Sequence, residues 1–232
     1  MSVINRSKPI LIFLASGVQG GAVVRAALAH GLKVRALVRD PTRAAMQNAP
    51  GVEFVEGDLD DVNALSSACA GIDHAVLQVP IGSAAAMLAR AQNALTAFKM
   101  ARVRCFILKL ASASRIVPCE EPSFVANQMI EDAARSSGLS FAIVRPTMYL
   151  DNLLKPSVRR EIMEHGVFAP PIAASQRIAW TSADDCAEAA LTLLERGAMG
   201  GDHRIAATES LNGDELAVRI GAGLGRRMFV CI

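Results

Sequence analysis

PILIFLASGVQGGAVVRAALAH, residues 9–30, is the stretch that decides the fold of this chain. Its apolar run, residues 10–14, gives way to small residues and glycines, and then to a helical pattern with Val23, Val24 and Ala27 on one face. A strand, a tight turn and a helix in this order are typical of a dinucleotide-binding turn. There, glycines let the backbone approach a pyrophosphate, and the N–H groups of the helix N-terminus face the anion.

The glycine pattern of this turn is imperfect. Read as G-x-G-x-x-G its glycine positions hold Ala15, Gly17 and Gly20, and read as G-x-x-G-x-x-G they hold Leu14, Gly17 and Gly20. The first glycine is missing in either register. Because a glycine pattern alone is weak evidence for a dinucleotide-binding turn, a plain strand-to-helix turn stays open as the alternative until the surrounding sequence is considered.

The composition indicates a globular protein with a sizeable core. Of the 232 residues, 52% are hydrophobic and 20% are charged, which predicts one domain, or one domain with a small appendage. A net charge of +2 is too small to favour nucleic acid or an anionic membrane, and no block of like charges forms a basic tail. We therefore expect neither nucleic acid nor a membrane among the partners.

The cysteines and the first residues favour the cytoplasm. Five dispersed cysteines without a C-x-x-C pair fit a reducing compartment better than a disulfide framework. The four histidines are equally dispersed and show no metal-ligand spacing, so no metal site is expected. The polar segment 1–9 is unlike a signal peptide, and no apolar run approaches the ~18 residues of a membrane span.

Apolar runs alternate with helical patterns through the first two-thirds of the chain. The predicted strands span residues 10–14, 33–39, 52–56, 72–79, 103–110 and 140–144, and the predicted helices that follow the first one span about 61–70, 84–100 and 123–137. This alternation predicts an α/β fold, a doubly wound parallel sheet of the Rossmann type with helices on both faces. A ligand is expected beyond the carboxyl ends of the strands.

The alternation of predicted strands and helices becomes less regular after Pro146. A short strand at 178–180, a helix from Thr181 or Ser182 to about Arg196, a strand at 204–206 and a helix at 211–224 are predicted. We therefore expect a dinucleotide-binding domain over residues 1–150 and a small α/β lobe over residues 151–232, packed on the carboxyl edge of the sheet.

Residues at the ends of the second and third strands point to the phosphorylated cofactor. Dinucleotide folds place an acid at the end of strand two to hold a ribose 2′-hydroxyl, whereas this chain has Arg39, which suits a 2′-phosphate. NADP is therefore favoured over NAD, with Arg35, Arg43 and Ser16 as possible helpers. Asp58, which ends strand three, is placed to accept the adenine amino group. The alternatives are a solvated arginine and a plain cap aspartate.

Strand ends further along complete the predicted cofactor site. Gln78, Val79 and Pro80 end strand four, where backbone groups flank a cofactor, and Pro146 and Thr147 follow strand six at the nicotinamide end. The predicted cofactor-binding residues are Ser16, Gly17, Val18, Gln19, Gly20, Arg39, Asp58, Leu59, Gln78, Val79, Pro80, Lys109 and Pro146.

Several segments together resemble the NmrA-like group of atypical short-chain dehydrogenases/reductases over nearly the whole chain. They are ASGVQGG at 15–21, VRALVRDP at 34–41, GDLDD at 57–61, AGID at 70–73, LKLAS at 108–112, SGLSFAIVRP at 137–146 and DNLL at 151–154. The resemblance implies a Rossmann fold with a small substrate lobe and a bound NAD(P). Members include quinone and dye reductases, isoflavone-type reductases and regulators that bind the cofactor without turning it over.

The chain departs from this group at its catalytic positions. The group relies on a serine near the end of strand five and on Tyr-x-x-x-Lys in the next helix. By register these places fall on Leu110 or Ala111, on Ser123 and on Asn127, and Tyr149 lies too late to substitute. This argues against ordinary alcohol–ketone chemistry, but a quinone or another conjugated acceptor can still take a hydride.

Two further departures concern the glycine turn and the C-terminal lobe. The group has glycine at the place of Leu14, whose side chain is expected to crowd the adenosine side of the site. Members commonly continue for several tens of residues past a segment like 224–230, which implies a shortened lobe here.

Few side chains remain as candidates for the reaction itself. Lys109, at the end of strand five, is the one catalytic candidate, either to hold the nicotinamide ribose or to polarise an acceptor carbonyl. The alternative is an edge lysine with its head in water. Candidates for an apolar substrate wall, with ordinary core as the alternative, are Met148, Tyr149, Leu153, Leu154 and Trp180.

The sequence thus predicts an NADPH-dependent reductase of a quinone-like or other conjugated small molecule, monomeric or homodimeric. NAD stays open as the cofactor. The alternatives are a non-catalytic NAD(P)-binding redox sensor or regulatory protein, and a scaffold that no longer binds nucleotide.

Overall fold

A computed structural model describes residues 4–43, 50–116, 118–170, 173, 175–198 and 200–230. Its strands are β1 (Ile10–Ile12), β2 (Val34–Val38), β3 (Val52–Glu56), β4 (His74–Leu77), β5 (Cys105–Lys109), β6 (Ser140–Pro146), β7 (Val167–Phe168), β8 (Asp202–Ile205) and β9 (Phe229–Val230). Its helices are α1 (Val18–Ala29), α2 (Val62–Ala68), α3 (Ala84–Ala101), α4 (Pro122–Ser136), α5 (Pro156–Arg160), α6 (Ala183–Glu195) and α7 (Gly213–Leu224), with short 3₁₀ turns at Pro41–Arg43 and Leu150–Leu154 and a π turn at Glu161–His165.

Seven strands form the main sheet in the order β3-β2-β1-β4-β5-β6-β8. The pairs from β3 through β6 are parallel, and the register aligns Ile12 with Ala36 and with Val76. This order is that of the doubly wound dinucleotide fold. The predicted fold class, an α/β parallel sheet of the Rossmann type, is confirmed.

The central strands are apolar because helices cover both faces of the sheet. All residues of β1, β4 and β5 are buried, as expected for a parallel sheet enclosed between two layers. On one face Phe13, Phe98 and Phe106 form a chain of ring contacts, with centroids 5.7 Å and 5.2 Å apart. This packing fixes α3 against the sheet directly beside the end of β1.

Helix starts follow the capping residues of the sequence. The Asp61 side chain accepts from the N–H groups of Asn63 and Ala64, so α2 begins directly after an aspartate cap, within the predicted helix of about 61–70. Ser83 caps α3 by accepting from the Ala86 N–H. Across the described ranges, no helix has the length and apolarity needed to cross a bilayer.

The chain divides into two compact units. The first comprises Met1–Pro146 and Asp184–Arg204, and the second Thr147–Ala183 and Ile205–Ile232. The sequence analysis instead expects residues 151–232 to stay together. Two contacts that span more than 150 residues of sequence join α6 to α1 and its end: Arg25 pairs with Asp184 at 2.6 Å, and the His30 Nε2 lies 2.9 Å from the Glu188 carboxylate.

The second unit has a small core of its own, in which Phe168 and Trp180 lie with ring centroids 6.4 Å apart. A capping box starts α7, since Asn212 and Glu215 each bind the backbone N–H of the other. The predicted strand at 178–180 is wrong: Ile178 forms one isolated antiparallel bridge to Leu211.

Candidate functional site

The turn between β1 and α1 leaves the N-terminus of α1 available to bind an anion. Gly17 is the N-cap of α1, has an extended backbone and provides no capping side chain, and the first turn of the helix holds no acid. The Gly17 N–H donates to the Leu14 carbonyl at 2.9 Å, which closes the turn. A helix that begins without a cap or an acid can be completed by a ligand anion.

Leu14 and Gly20 set the shape of this turn. Leu14 has φ +51°, a left-handed conformation that favours glycine. A Cβ on Gly20 would lie 2.1 Å from the Leu14 carbonyl oxygen, so only glycine lets α1 approach the end of β1 this closely. The turn therefore keeps the backbone shape of the glycine motif although leucine replaces its first glycine.

A first cavity of about 420 Å³ opens at the carboxyl ends of β1, β2 and β3. Its wall consists of Phe13, Leu14, Ser16, Gly17, Leu37, Val38, Arg39, Gly57, Asp58, Leu59, Pro80, Ile81 and Arg90. The structure thus brings together the predicted Ser16, Gly17, Arg39, Asp58, Leu59 and Pro80. Leu14 forms part of this wall, and the cavity remains open beside the leucine side chain.

The charges around the first cavity differ in how they are engaged. The exposed Arg39 guanidinium makes no hydrogen bond or ion pair with any residue the structure describes. The Arg90 guanidinium instead donates two hydrogen bonds to the Asp60 carboxylate, at 3.0 Å and 2.7 Å. These bonds lower the pKa of Asp60 and raise the pKa of Arg90. Asp58 accepts the Asp60 N–H at 3.0 Å. Arg39 is therefore the cation at this cavity that a ligand phosphate can engage without breaking an existing pair.

A second cavity of about 270 Å³ lies on the other side of the turn. Its wall consists of Leu14, Gly17, Val18, Gln19, Gly20, Gln78, Val79, Pro80, Ile81, Lys109 and Ala111. Four of these residues also line the first cavity: Leu14, Gly17, Pro80 and Ile81. Every predicted cofactor-binding residue except Pro146, a buried residue at the end of β6, lines one cavity or the other.

Lys109 is enclosed in the wall of the second cavity. Its side chain is 1% exposed, and its Nζ donates to the Gln19 Oε1 at 2.8 Å. The alternative of an edge lysine with its head in water is therefore wrong. The bond to Gln19 ties the end of β5 to the first turn of α1.

Gln78 lies beside Lys109 on the neighbouring strand. Leu77 pairs with Leu108 in the parallel register, so Gln78 and Lys109 each follow a paired residue. Gln78 is 4% exposed, and its Nε2 has no hydrogen-bond partner among the described residues. His74 and Trp180 each have a ring nitrogen in the same state, but of these three residues only Gln78 lines a described cavity of the candidate site.

The places of the tyrosine and the lysine of the resembled group serve structure here. The Asn127 Nδ2 donates to Ser112 Oγ at 2.9 Å and to the Ala113 carbonyl at 2.8 Å, so it holds the loop after β5. The Ser123 hydroxyl donates to the Glu121 carboxylate at 2.7 Å, at the start of α4. These places therefore hold neither the tyrosine hydroxyl nor the lysine ammonium of the resembled group.

One predicted helper, Arg35, does not reach the 2′-phosphate position. The Arg35 guanidinium donates to Glu53 at 2.8 Å and to the carbonyls of Ala68 and Ala70 at 3.0 Å and 2.7 Å, and it lines neither cavity. The expectation for Arg35 is wrong because these acceptors already occupy it. The side chain of Arg43 lies outside the described part of the chain.

The candidates for an apolar substrate wall fall in the second unit. Trp180 and Tyr149 are each 5% exposed, and Met148 and Leu153 pack against the core around Trp180. Leu154 is 71% exposed. The core interpretation is therefore correct for Trp180, and no wall is assigned to these residues.

The buried thiols of Cys69 and Cys105 supply no nucleophile. Burial raises the pKa of Cys69 to about 12 and that of Cys105 to about 11, so both stay protonated at neutral pH. Within the described ranges, no three His, Cys, Asp or Glu side chains are grouped so that they could hold a metal ion.

The sequence profile of the NmrA-like family matches residues 6–229. This chain belongs to the NmrA-like family. The resemblance drawn from the motifs is thus confirmed, and the glycine turn, Arg39 and Lys109 all lie within the matched region.

Among curated relatives, the NAD(P)H azoreductase of Xenophilus azovorans is 28% identical over 219 residues, which cover 94% of this chain and 74% of the relative. Quinone oxidoreductase 2 of Escherichia coli K12 is 25% identical over 84% of this chain and 67% of its own length. The structure of Citrobacter sp. triphenylmethane reductase complexed with NADP(H) superposes with a TM-score of 0.81 at 21% identity, covering 96% of this chain and 78% of that one.

Sequence reasoning missed Arg90 and the burial of Lys109. Arg90 lies in mid-helix on α3, and its presence at the cavity depends on how α3 packs beside β1. No local pattern signals either feature.

Proposed function

We propose that this NmrA-like chain is an NADPH-dependent reductase of a quinone-like or other conjugated small molecule. The observation that carries the proposal is the pair of adjoining cavities around the uncapped start of α1, with Arg39 on one side and Lys109 on the other. The relatives named NAD(P)H azoreductase and quinone oxidoreductase 2 support this substrate class.

The residues present fit a pyridine dinucleotide phosphate. The helix start at Gly17 would receive the diphosphate, because its N-terminal turn carries no acid of its own. Arg39 would engage the 2′-phosphate, and Asp58 would accept from the adenine amino group. The orphaned Gln78 amide would gain its acceptor from the nicotinamide half or from the substrate.

When bound, NADPH supplies a hydride. The chain itself would bind and orient the reactants, since the tyrosine and lysine places of the triad hold Ser123 and Asn127, which form structural bonds, and the serine place falls on Leu110 or Ala111. An acceptor that needs a protein hydroxyl as its acid is therefore disfavoured. A quinone or azo compound spreads the incoming electron pair over a conjugated system and can take its proton from water.

The same lost positions favour a second candidate, a non-catalytic NAD(P)-binding redox sensor or regulatory protein. This candidate needs the cofactor cavities but no reacting group. Turnover separates the two functions, because only the reductase oxidises bound NADPH.

The experiment follows the loss of the NADPH absorbance when protein, NADPH and an acceptor are mixed. We expect oxidation with a naphthoquinone or an azo dye, and none with a saturated ketone or without protein. If calorimetry shows NADPH bound at saturation and no acceptor of either class is reduced, the reductase proposal fails and the sensor is favoured.

The remaining expectations stay predictions: a small-molecule substrate, a cytoplasmic location, and a monomeric or homodimeric state. Gel filtration with light scattering tests the last of these directly.

A further inference from the structure

The loop after β3, residues 57–61, carries two carboxylates that are linked through the backbone. Asp58 lines the first cavity, whereas Asp60 does not line it and has a side chain that is 58% exposed. The Asp58 side chain accepts the Asp60 N–H at 3.0 Å, and the Asp58 carbonyl accepts the Asp61 N–H at 3.1 Å. The direction of the Asp58 carboxylate therefore depends on where the backbone of residue 60 lies.

Helix α3 holds this loop at two consecutive residues. The Arg90 guanidinium donates to both oxygens of the Asp60 carboxylate, and the Asn93 Nδ2 donates to the Leu59 carbonyl at 2.9 Å. Arg90 and Asn93 are spaced so that they lie on one face of the helix. A bidentate arginine–carboxylate pair restricts orientation as well as distance. These bonds fix residues 59 and 60 relative to α3.

Arg90 also serves both acids of the loop electrostatically. Its hydrogen bonds to Asp60 raise the pKa of Arg90, and the negative charges of Asp60 and Asp58 add to this rise. The guanidinium thus offsets two like charges that would otherwise repel each other. The loss of this cation is expected to leave the loop both less firmly held and more negative.

We propose that Arg90 is a positioning residue for the adenine end of the cofactor: by binding Asp60, it holds the Asp58 carboxylate in the direction that accepts from the adenine amino group. This inference rests on the proposed function. It assigns the base selectivity of the first cavity to a contact between α3 and the loop after β3. Arg90 acts through the Asp60 carboxylate and the backbone N–H of the same residue, not by touching the base.

Two cofactors measure this base selectivity by calorimetry on the full chain. NADPH carries adenine, and its deamino analogue carries hypoxanthine, which has a carbonyl oxygen in place of the amino group. The wild type is expected to bind NADPH about tenfold more tightly than the analogue, because the carboxylate loses a donor and meets an oxygen. The variants are Arg90→Gln and Asp60→Ala, which break the pair, and Arg90→Lys, which keeps the charge.

Arg90→Gln and Asp60→Ala are each expected to lower the preference for NADPH by about threefold, a modest effect because both side chains of the pair are partly exposed. Arg90→Lys is expected to retain most of the preference, since an ammonium can still bind Asp60. Arg219→Gln is the matched control. It breaks an ion pair with Glu209 at neither cavity and is expected to keep the wild-type preference.

Asp60→Ala separates positioning from a plain effect of charge. It removes a negative charge near the cavity, so a purely electrostatic effect would raise the affinity for both cofactors equally and leave the preference unchanged. A preference that survives in both Arg90→Gln and Asp60→Ala overturns the positioning role and leaves the proposed function standing. Equal wild-type binding of the two cofactors also overturns it, since no base contact then exists to be positioned. A wild type that binds neither cofactor overturns the proposed function as well.

Discussion

Leu14 holds a left-handed backbone at a position that favours glycine, and its side chain lines both cavities. Leu14→Gly removes about 1–2 kcal/mol of backbone strain, which the greater flexibility of glycine in the unfolded chain largely offsets. We expect the free energy of unfolding to stay within about 1 kcal/mol of the wild type. We expect the NADPH affinity to rise a few-fold, because the leucine side chain no longer narrows the wall that the two cavities share. Calorimetry and thermal melting measure the two effects.

Arg102→Gly is the matched control for this prediction. Arg102 has φ +56° at the end of α3 and lines neither cavity. The Arg102→Gly substitution relieves the same kind of backbone strain at a residue that is not part of the cofactor site. Weaker NADPH binding by Leu14→Gly would show that the leucine side chain contributes contacts to the cofactor.

Gly20 permits the close approach of α1 to β1. In Gly20→Ala the new Cβ would lie 2.1 Å from the Leu14 carbonyl oxygen and 2.9 Å from that of Phe13, so backbone has to move. We expect a loss of about 2 kcal/mol or more in the free energy of unfolding, measured with urea. Gly223→Ala, where no atom lies within 4 Å, is the control and is expected to be neutral or stabilising by up to about 1 kcal/mol. Equal stabilities of the two variants would contradict the close-approach argument.

At the level of elements, a charged network joins α4, β6 and β8. The buried Glu131 pairs with Arg145, which also binds Asp202 at 3.0 Å, and Arg135 binds Asp202 at 2.9 Å. Burial raises the pKa of Asp202, but the bonds and charges of Arg135 and Arg145 outweigh it and leave the pKa below its usual range. The network ties the edge strand β8 to the rest of the sheet.

This network predicts a pH-dependent stability. Because the folded-state pKa of Asp202 is lowered, its contribution is present above the unfolded pKa of about 4 and is lost as pH falls through the folded value. Asp202→Asn is expected to be less stable at pH ~7 by about 0.5–1 kcal/mol, a small figure since the side chain is 37% exposed. Urea unfolding from neutral pH down to pH ~3 is expected to show this difference shrinking. A difference that stays constant over that range would contradict the assignment, and Asp132→Asn, exposed on α4, serves as the control.

The sequence predicts most elements, and its errors have physical causes. The strands β1 to β6 lie where apolar runs end in turn residues, and α2 begins at its aspartate cap. The segment 178–180 fails as a strand because its backbone bonds do not form a continuous ladder: Ile178 bridges to Leu211, and the Trp180 carbonyl accepts from the Ala207 N–H at 2.9 Å. The site positions on strand ends are predictable since parallel strands share an edge. Side-chain burial is not, as the difference between the exposed Arg39 and the enclosed Lys109 shows.

On the scale of the whole molecule, the sheet order explains where the cavities lie. The chain builds outward from β1 to β3 and then crosses to β4, so the strand order reverses between β1 and β4. At such a point the connections leave in opposite directions, and a crevice opens beyond the strand ends. Leu14 follows β1 and Pro80 follows β4, and both line the two cavities.

The division into two units places the whole candidate cofactor site within the first. Every residue of the two cavity walls falls between Phe13 and Ala111. Cofactor binding is therefore expected to depend on residues of this unit alone.

The most direct test of the account is the affinity of the wild type and of Arg39→Ala for NADPH and NADH, measured by calorimetry. A charged contact to the 2′-phosphate predicts that the wild type binds NADPH about tenfold or more tightly than NADH, and that Arg39→Ala loses this preference without losing NADH. Arg104→Ala, an exposed arginine just before β5, is the control. Equal wild-type affinities for the two cofactors, or a preference that survives in Arg39→Ala, would contradict the account.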